Sequence, residues 1–156
     1  MFDAMSPVSA IPLRFIGANG IPQFEPVHGE FLDGGAYLVL RSPSFVYGLA
    51  AGDEIELGDT KGSFQLLARG GNIAIRMLSE KNLGAAFEAL AADVQAGLDG
   101  RVDGRLAQAA VFTVPAAAGF EEIEQIFNDY VSDNEGTIWE YGNVYDEDGE
   151  PLEWWL

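Results

Sequence analysis

The residues able to do chemistry are few. The chain has one histidine, no cysteine and no Gly-x-Ser-x-Gly elbow, which removes thiol chemistry and thiolate metal sites and leaves no recognisable nucleophile setting. His28 stands in Glu25-Pro26-Val27-His28-Gly29-Glu30, where flanking carboxylates could orient its imidazole as a general base. The plainer assignment is a surface loop histidine. Arg76 follows a glycine-rich turn and could hold an anion, although a cross-strand pair with one of the many acids is its more ordinary role. Asp33 and Asp53 complete the set, because an acid of raised pKa beside an ionised one can move a proton.

The acids are distributed unevenly. Arg105 is the last basic residue, and the 51 residues after it carry twelve carboxylates, whereas the first 105 hold thirteen acids against eight bases. Most of the net charge of −17 therefore lies in one third of the length. Such a field repels nucleic acid, phosphorylated metabolites and anionic membranes, and it steers cationic proteins toward the chain. The segment Asp146-Glu147-Asp148-Gly149-Glu150 invites a calcium assignment. Setting Gly149 on the obligatory glycine of an EF-hand puts Val144 and Trp155 on the first and last ligand positions, so the motif fails at both ends. Gly17-Ala18-Asn19-Gly20 lacks the Lys-Ser/Thr of a phosphate loop. No cofactor and no metal are expected, and no catalytic residue is assigned.

Tyr130, Trp139, Tyr141, Tyr145, Trp154 and Trp155 lie within the acidic third. Their ordinary role is to pack a helix onto a sheet, and their functional role is to anchor a protein interface ringed by acids. Glu122, Asp129, Asp133, Glu140, Asp146, Asp148 and Trp155 are accordingly the expected partner-contacting residues. Two classes of function compete. One is a non-enzymatic, acidic protein-binding module, most sharply a cytoplasmic immunity protein or antitoxin that blocks a basic toxin, itself a monomer or weak homodimer. The other is a small-molecule-binding domain or small enzyme using a cleft near His28 and Arg76.

At 156 residues and 48% apolar content, the chain fits one compact domain. Residues 1–10 lack the basic and apolar regions of a signal peptide, and no stretch approaches the length of a membrane span, so a cytoplasmic location is expected. The first half reads as strands at 13–16, 36–41, 54–57, 63–68 and 73–78, divided by Gly and Pro. Residues 64–67 and 73–77 flank Arg69-Gly70-Gly71-Asn72 and predict a hairpin, and alternation after Gly52 turns Asp53 outward. The second half changes period. Leu83, Ala86, Phe87, Leu90, Val94 and Leu98 form one helical stripe, with Ser79 or Asn82 as N-cap. A strand follows at 106–114, then a helix whose buried face is Ile123, Ile126, Phe127 and Tyr130, then strands at 137–145 and 152–155. The expected fold is α+β: a strand-rich half at 12–78 forming a curled sheet or partial barrel, then a ferredoxin-like βαβαβ half at 79–156 with two helices on one face and an acidic C-terminal hairpin.

Three blocks carry a resemblance. They are Leu32-Asp33-Gly34 to Tyr37, Pro43-Ser44-Phe45-Val46-Tyr47-Gly48-Leu49-Ala50-Ala51-Gly52-Asp53, and Gly70-Gly71-Asn72-Ile73-Ala74-Ile75-Arg76. Together they resemble the bacterial domain-of-unknown-function 4265 family, in which a P-F-x-x-Y-G block ending in G-D precedes a strand pair containing G-x-x-x-x-R. Here Ser44 is inserted between Pro43 and Phe45, and Asn72-Ile73 replaces the more usual small polar residues. The resemblance spans residues 12–145 and implies a shared α+β fold, without implying an activity.

Overall fold

The computed structural model describes residues 8–156; the first seven residues of the segment 1–10, expected from sequence to lack a signal peptide, lie outside the described residues. Five strands, β1 (Val8–Ile16), β2 (Pro22–Phe31), β3 (Ala36–Val39), β4 (Glu54–Leu57) and β5 (Phe64–Ala68), form one antiparallel sheet in sequence order. The chain then leaves that sheet. Strand β6 (Asn72–Ser79), helix α1 (Ala85–Leu98), strands β7 (Arg101–Arg105) and β8 (Ala109–Pro115), helix α2 (Phe120–Asp133) and strand β9 (Thr137–Tyr141) build a second antiparallel sheet in the order β7-β8-β6-β9. The fold is mixed α+β with two helices and two antiparallel sheets, neither closed on itself.

The expected hairpin at Gly70–Gly71 does not form. Strand β5 pairs with β4, and β6 pairs with β8 and β9, so this turn hands the chain from one sheet to the other. Two contacts force the exchange. The N–H of Gly70 donates to Asp53 at 2.9 Å, and a Cβ on Gly70 would lie 2.3 Å from the backbone carbonyl of Gly52. The two glycines pass backbone to backbone, which only residues without a side chain permit. Asp53, expected to face outward, is instead fully buried.

Strands β2 and β7 were not visible as sequence patterns. In β2, Pro26 pairs with Pro12 of β1, and β3 reaches only Gly29–Phe31 of β2, so Pro26 sits where no ladder bond is required of it on that side. Strand β7 is short and polar, and its register shifts between Val102 and Gly104.

Both helices cover the same face of the second sheet. Ile73, Ile75 and Met77 of β6 alternate onto that face with Ala110, Phe112 and Val114 of β8, against Phe87, Leu90, Val94 and Leu98 of α1 and Ile123 and Phe127 of α2. Phe112 is the hub, with ring centroids 5.7 Å from Phe87 and 5.1 Å from Phe127. Helix α1 starts after Gly84 with no side-chain cap, so neither Ser79 nor Asn82 fills that role. It ends at Asp99, which adopts the left-handed conformation at φ 57°.

Beyond β9 the side chain of Asn143 continues the ladder. Its Oδ1 accepts from Ala74 N and its Nδ2 donates to Asn72 O, both at 2.9 Å. The C-terminal strands expected at 137–145 and 152–155 are shorter in the structure. Only β9 is a full strand, and Tyr145 and Pro151 form an isolated bridge closing the acidic loop. A smaller core of Ile11, Leu13, Val27, Val39 and Ile55 lies on the first sheet, joined by Val46 and Leu49 from the connection between β3 and β4.

Candidate functional site

The long connection between β3 and β4, residues 40–53, packs between the two sheets, and nearly every turn of it is tied down. The Glu25 carboxylate accepts from the backbone N–H groups of Ser44, Phe45 and Val46 at 2.7, 2.9 and 3.0 Å. Asp103 accepts from Ser42 N at 2.8 Å and from the Thr113 hydroxyl at 2.5 Å. Asp53 accepts from Ala50 N at 3.0 Å and lies 3.4 Å from Arg69 Nη1. Burial raises the Asp53 pKa, and the donors from Gly70, Ala50 and Arg69 oppose that rise. The three acids act as staples for the backbone donors of Ser42, Ser44, Phe45, Val46 and Ala50, which have no strand partner.

Arg76 lies beneath this loop. Strand alternation sends Ile75 and Met77 to the helices and Arg76 to the opposite face, where it is only 8% exposed. Its Nη2 donates to the carbonyl of Val46 at 2.5 Å, and Nη1 makes a long contact of 3.5 Å to that of Phe45. The guanidinium sits over the Tyr47 ring, 4.0 Å from its centroid. The Tyr47 hydroxyl in turn donates to Glu140, at 2.6 Å to Oε2 and 2.9 Å to Oε1. Burial lowers the Arg76 pKa, while Tyr47, Glu140 and Glu25 oppose that shift. The Tyr47 pKa is raised, first by burial and then by Glu140. The blocks around Phe45-Val46-Tyr47 and Arg76, separate in sequence, thus meet at one place.

A cleft of about 440 Å³ opens here, lined by Phe15, Ile16, Phe45, Leu78, Leu106 and Ile138 with Arg76 among its polar groups. That volume falls in the usual range for small-molecule sites, about 300–1,000 Å³. His28 is exposed on β2 and lines a separate depression of about 290 Å³ with Arg41 and Asp103. The two cavities share the wall of Ser44, Gly104, Arg105 and Leu106, but His28 and Arg76 do not converge. Among the described residues no carboxylate is hydrogen-bonded to the His28 ring, and Glu25 is committed to the loop. Asp33 is exposed in the turn Asp33–Gly35, away from these groups.

The seven expected partner-contacting residues do not form one surface. Glu122, Asp129 and Asp133 are exposed on α2, where Asp129 accepts from Gln125. Glu140 lies on the other face of the sheet: its neighbour Trp139 packs on Phe127 of α2, so alternation directs Glu140 to Tyr47. Glu140 and Asp146 share a shallow depression of about 330 Å³ with Tyr47, Tyr141 and Tyr145. Asp146 also forms its own turn, accepting from Asp148 N and Glu150 N at 2.9 Å, and Asp148 is exposed beside it. Trp155 is partly buried, edge to face on Phe120 at 5.0 Å and on Trp154 at 5.4 Å.

Tyr47 and Phe45 entered the sequence reading only through a family block and not as candidate site residues. A signal did exist for the place they occupy. On β6, Ala74 and Leu78 share the face opposite Ile73, Ile75 and Met77 with Arg76, so this second face also carries apolar side chains that call for partial cover.

Fold and cleft together define a mixed α+β protein with a stapled loop seated between two antiparallel sheets above a buried arginine. The chain belongs to the family described as domain of unknown function DUF4265, whose model matches residues 25–139, well over half of its length. The resemblance in the three sequence blocks is therefore a family relationship. The fold is similar to the crystal structure of a hypothetical protein from Neisseria gonorrhoeae, with a TM-score of 0.71 over 86% of this chain and 94% of that one. At 15% identity this likeness concerns the fold alone. No curated protein matches the chain.

Proposed function

We propose that this chain is a non-enzymatic binding protein whose acidic C-terminal third receives a cationic protein. In its sharpest form it is a cytoplasmic immunity protein or antitoxin that blocks a basic toxin. The observation that carries the reading is the pattern of ion pairs. Among the described residues the salt bridges join Arg69 to Asp53, Arg101 to Asp103 and Arg105 to Glu88, so no acid beyond Arg105 has a cationic partner. The field of α2 is thus left for another molecule, and exposed uncompensated charge raises association rates with an oppositely charged partner. The finer description of the fold belongs with this reading. The strand order β7-β8-β6-β9, with α1 and α2 packed on one face, supports a ferredoxin-like unit in this half. The bond from Arg14 N to Gly62 O at 2.9 Å supports a first sheet curled toward a partial barrel.

The test compares the protein with the triple variant E122Q/D129N/D133N, both immobilised and exposed to host lysate at low and moderate salt. One basic protein retained near equal ratio, and lost with the variant, is the expected result. A salt-labile mixture bound alike by both would reject the reading.

A second reading rests on the cleft. Its volume, apolar walls and buried cation support a small-molecule-binding domain, centred on Arg76 rather than on His28 and Arg76 jointly.

A further inference from the structure

The charge lining the cleft runs against that of the whole chain. The molecule has a net charge of −17, yet the charged side chains lining this cleft are two cations, Arg76 and Arg105, and one anion, Glu140. Of the three, only Arg76 is buried and without a carboxylate partner. Arg105 pairs with Glu88, and Glu140 is held by the Tyr47 hydroxyl. The Nε of Arg76 is buried and has no hydrogen-bond partner. A guanidinium removed from water with no carboxylate beside it is costly, and an anion entering the cleft that Arg76 lines reduces that cost.

The walls specify the rest of the ligand. Leu78, Leu106 and Ile138 are 55, 65 and 64% exposed, and all three line this one cleft with Ile16 and Phe45. Large apolar side chains left in water around a single concavity mark a surface that binds something apolar. One cation without a carboxylate partner suits one anionic charge. A dianion such as a phosphate monoester would meet Glu140 and the general negative field with too few donors to offset them. A cation would be drawn by the field outside but repelled by Arg76 within.

We propose that this cleft binds a small aliphatic monocarboxylate, its tail on Leu78, Leu106 and Ile138 and its carboxylate received by Arg76. The proposal rests on the second reading of function and adds the chemical class of the ligand.

Three probes of equal tail length separate the parts of the proposal: octanoate below its micellar range, 1-octanol and octylammonium. Titrations are followed by amide chemical shifts of the labelled protein and by calorimetry. Octanoate is expected to saturate at one equivalent, to move the amides of Leu78, Leu106 and Ile138, and to bind about tenfold or more tighter than octanol, the usual scale of one charge-assisted hydrogen bond. Octylammonium is expected to bind weakest in the cleft despite the acidity of the molecule. I138E places a charge on an exposed wall without disturbing the core and should abolish saturation. R76K keeps the charge but shortens its reach, and should reduce the octanoate preference while octanol binding persists. Octanol or octylammonium binding in the cleft as tightly as octanoate would overturn the carboxylate assignment and leave the cleft reading standing. Failure of all three probes to shift these amides would overturn both.

Discussion

The Arg76 guanidinium lies 4.0 Å from the centroid of the Tyr47 ring, and the hydroxyl of that ring donates to Glu140, the residue that opposes Arg76 across the β6–β9 ladder. Cation and carboxylate thus communicate through an aromatic ring rather than by direct pairing. The ring covers the guanidinium while its hydroxyl stays at the surface with Glu140, which lets one charge be buried and the other solvated.

Replacing Tyr47 therefore separates the two roles of its side chain. Y47F keeps the ring over Arg76 and is expected to cost less than about 1 kcal/mol, the scale of one exposed hydrogen bond. Y47A removes the cover and is expected to cost about 1–2 kcal/mol. Urea unfolding of both variants measures the difference, and equal losses would mean that the ring contributes nothing over the guanidinium.

The crossing of Gly52 and Gly70 predicts an asymmetry between adjacent glycines. In G70A the new methyl meets the Gly52 backbone at 2.3 Å, and the neighbouring Asp53 bond is disturbed. A loss of about 2–3 kcal/mol is expected. Gly71 has φ +85° but open space around its Cβ position, so G71A should cost only the backbone strain, about 1–2 kcal/mol. Thermal or urea unfolding ranks the two, and a milder G70A would contradict the close approach.

Alkaline pH should destabilise the chain through its partly buried tyrosines. Burial raises the pKa of Tyr141, reinforced by its bond to Glu124, and burial also raises that of Tyr130. In the unfolded chain both ionise near the ordinary value of 10.0. Their contribution to stability is therefore fully present below pH 10 and is lost as pH rises above it, because only the unfolded state then releases the proton. Urea midpoints should fall from pH 9 to pH 11, and Y141F should fall less steeply. Parallel slopes for wild type and Y141F would reject this account.

Trp155 allows the structural and interface roles of an aromatic to be told apart. Its ring packs on Phe120 and Trp154 while remaining partly exposed. W155A is expected to cost about 1–2 kcal/mol, below the loss for a fully buried ring. If a cationic partner is captured, a tenfold or greater loss of its affinity in a still-folded W155A would assign the ring to the interface. Unchanged affinity would confine it to packing the C-terminus.

Local pattern made several elements legible. The spacing of Phe87, Leu90, Val94 and Leu98 marked α1, and Ile123 with Phe127 marked the buried side of α2. Strand β4 falls on the residues that alternation indicated. The candidate site was legible only in pieces. Arg76 stood out as a charge on an apolar strand, but its cover by Tyr47 depends on residues about thirty positions away, and no periodicity spans such a distance. His28 and Arg76 belong to adjacent cavities because their strands join different sheets, a separation that neither local segment encodes.

The sequence by itself determined the periods of strand and helix, the acidity of the last third and, through three short blocks, the family. These properties reside in neighbouring residues or in composition, where side-chain spacing and charge can be read directly. Tertiary structure decided that the Gly70–Gly71 turn passes between sheets, that Asp53 is buried as a staple and that Arg76 floors a cleft. Each of these depends on which distant backbone is close enough to satisfy a buried donor, acceptor or charge, and that is set by the packing of the whole chain.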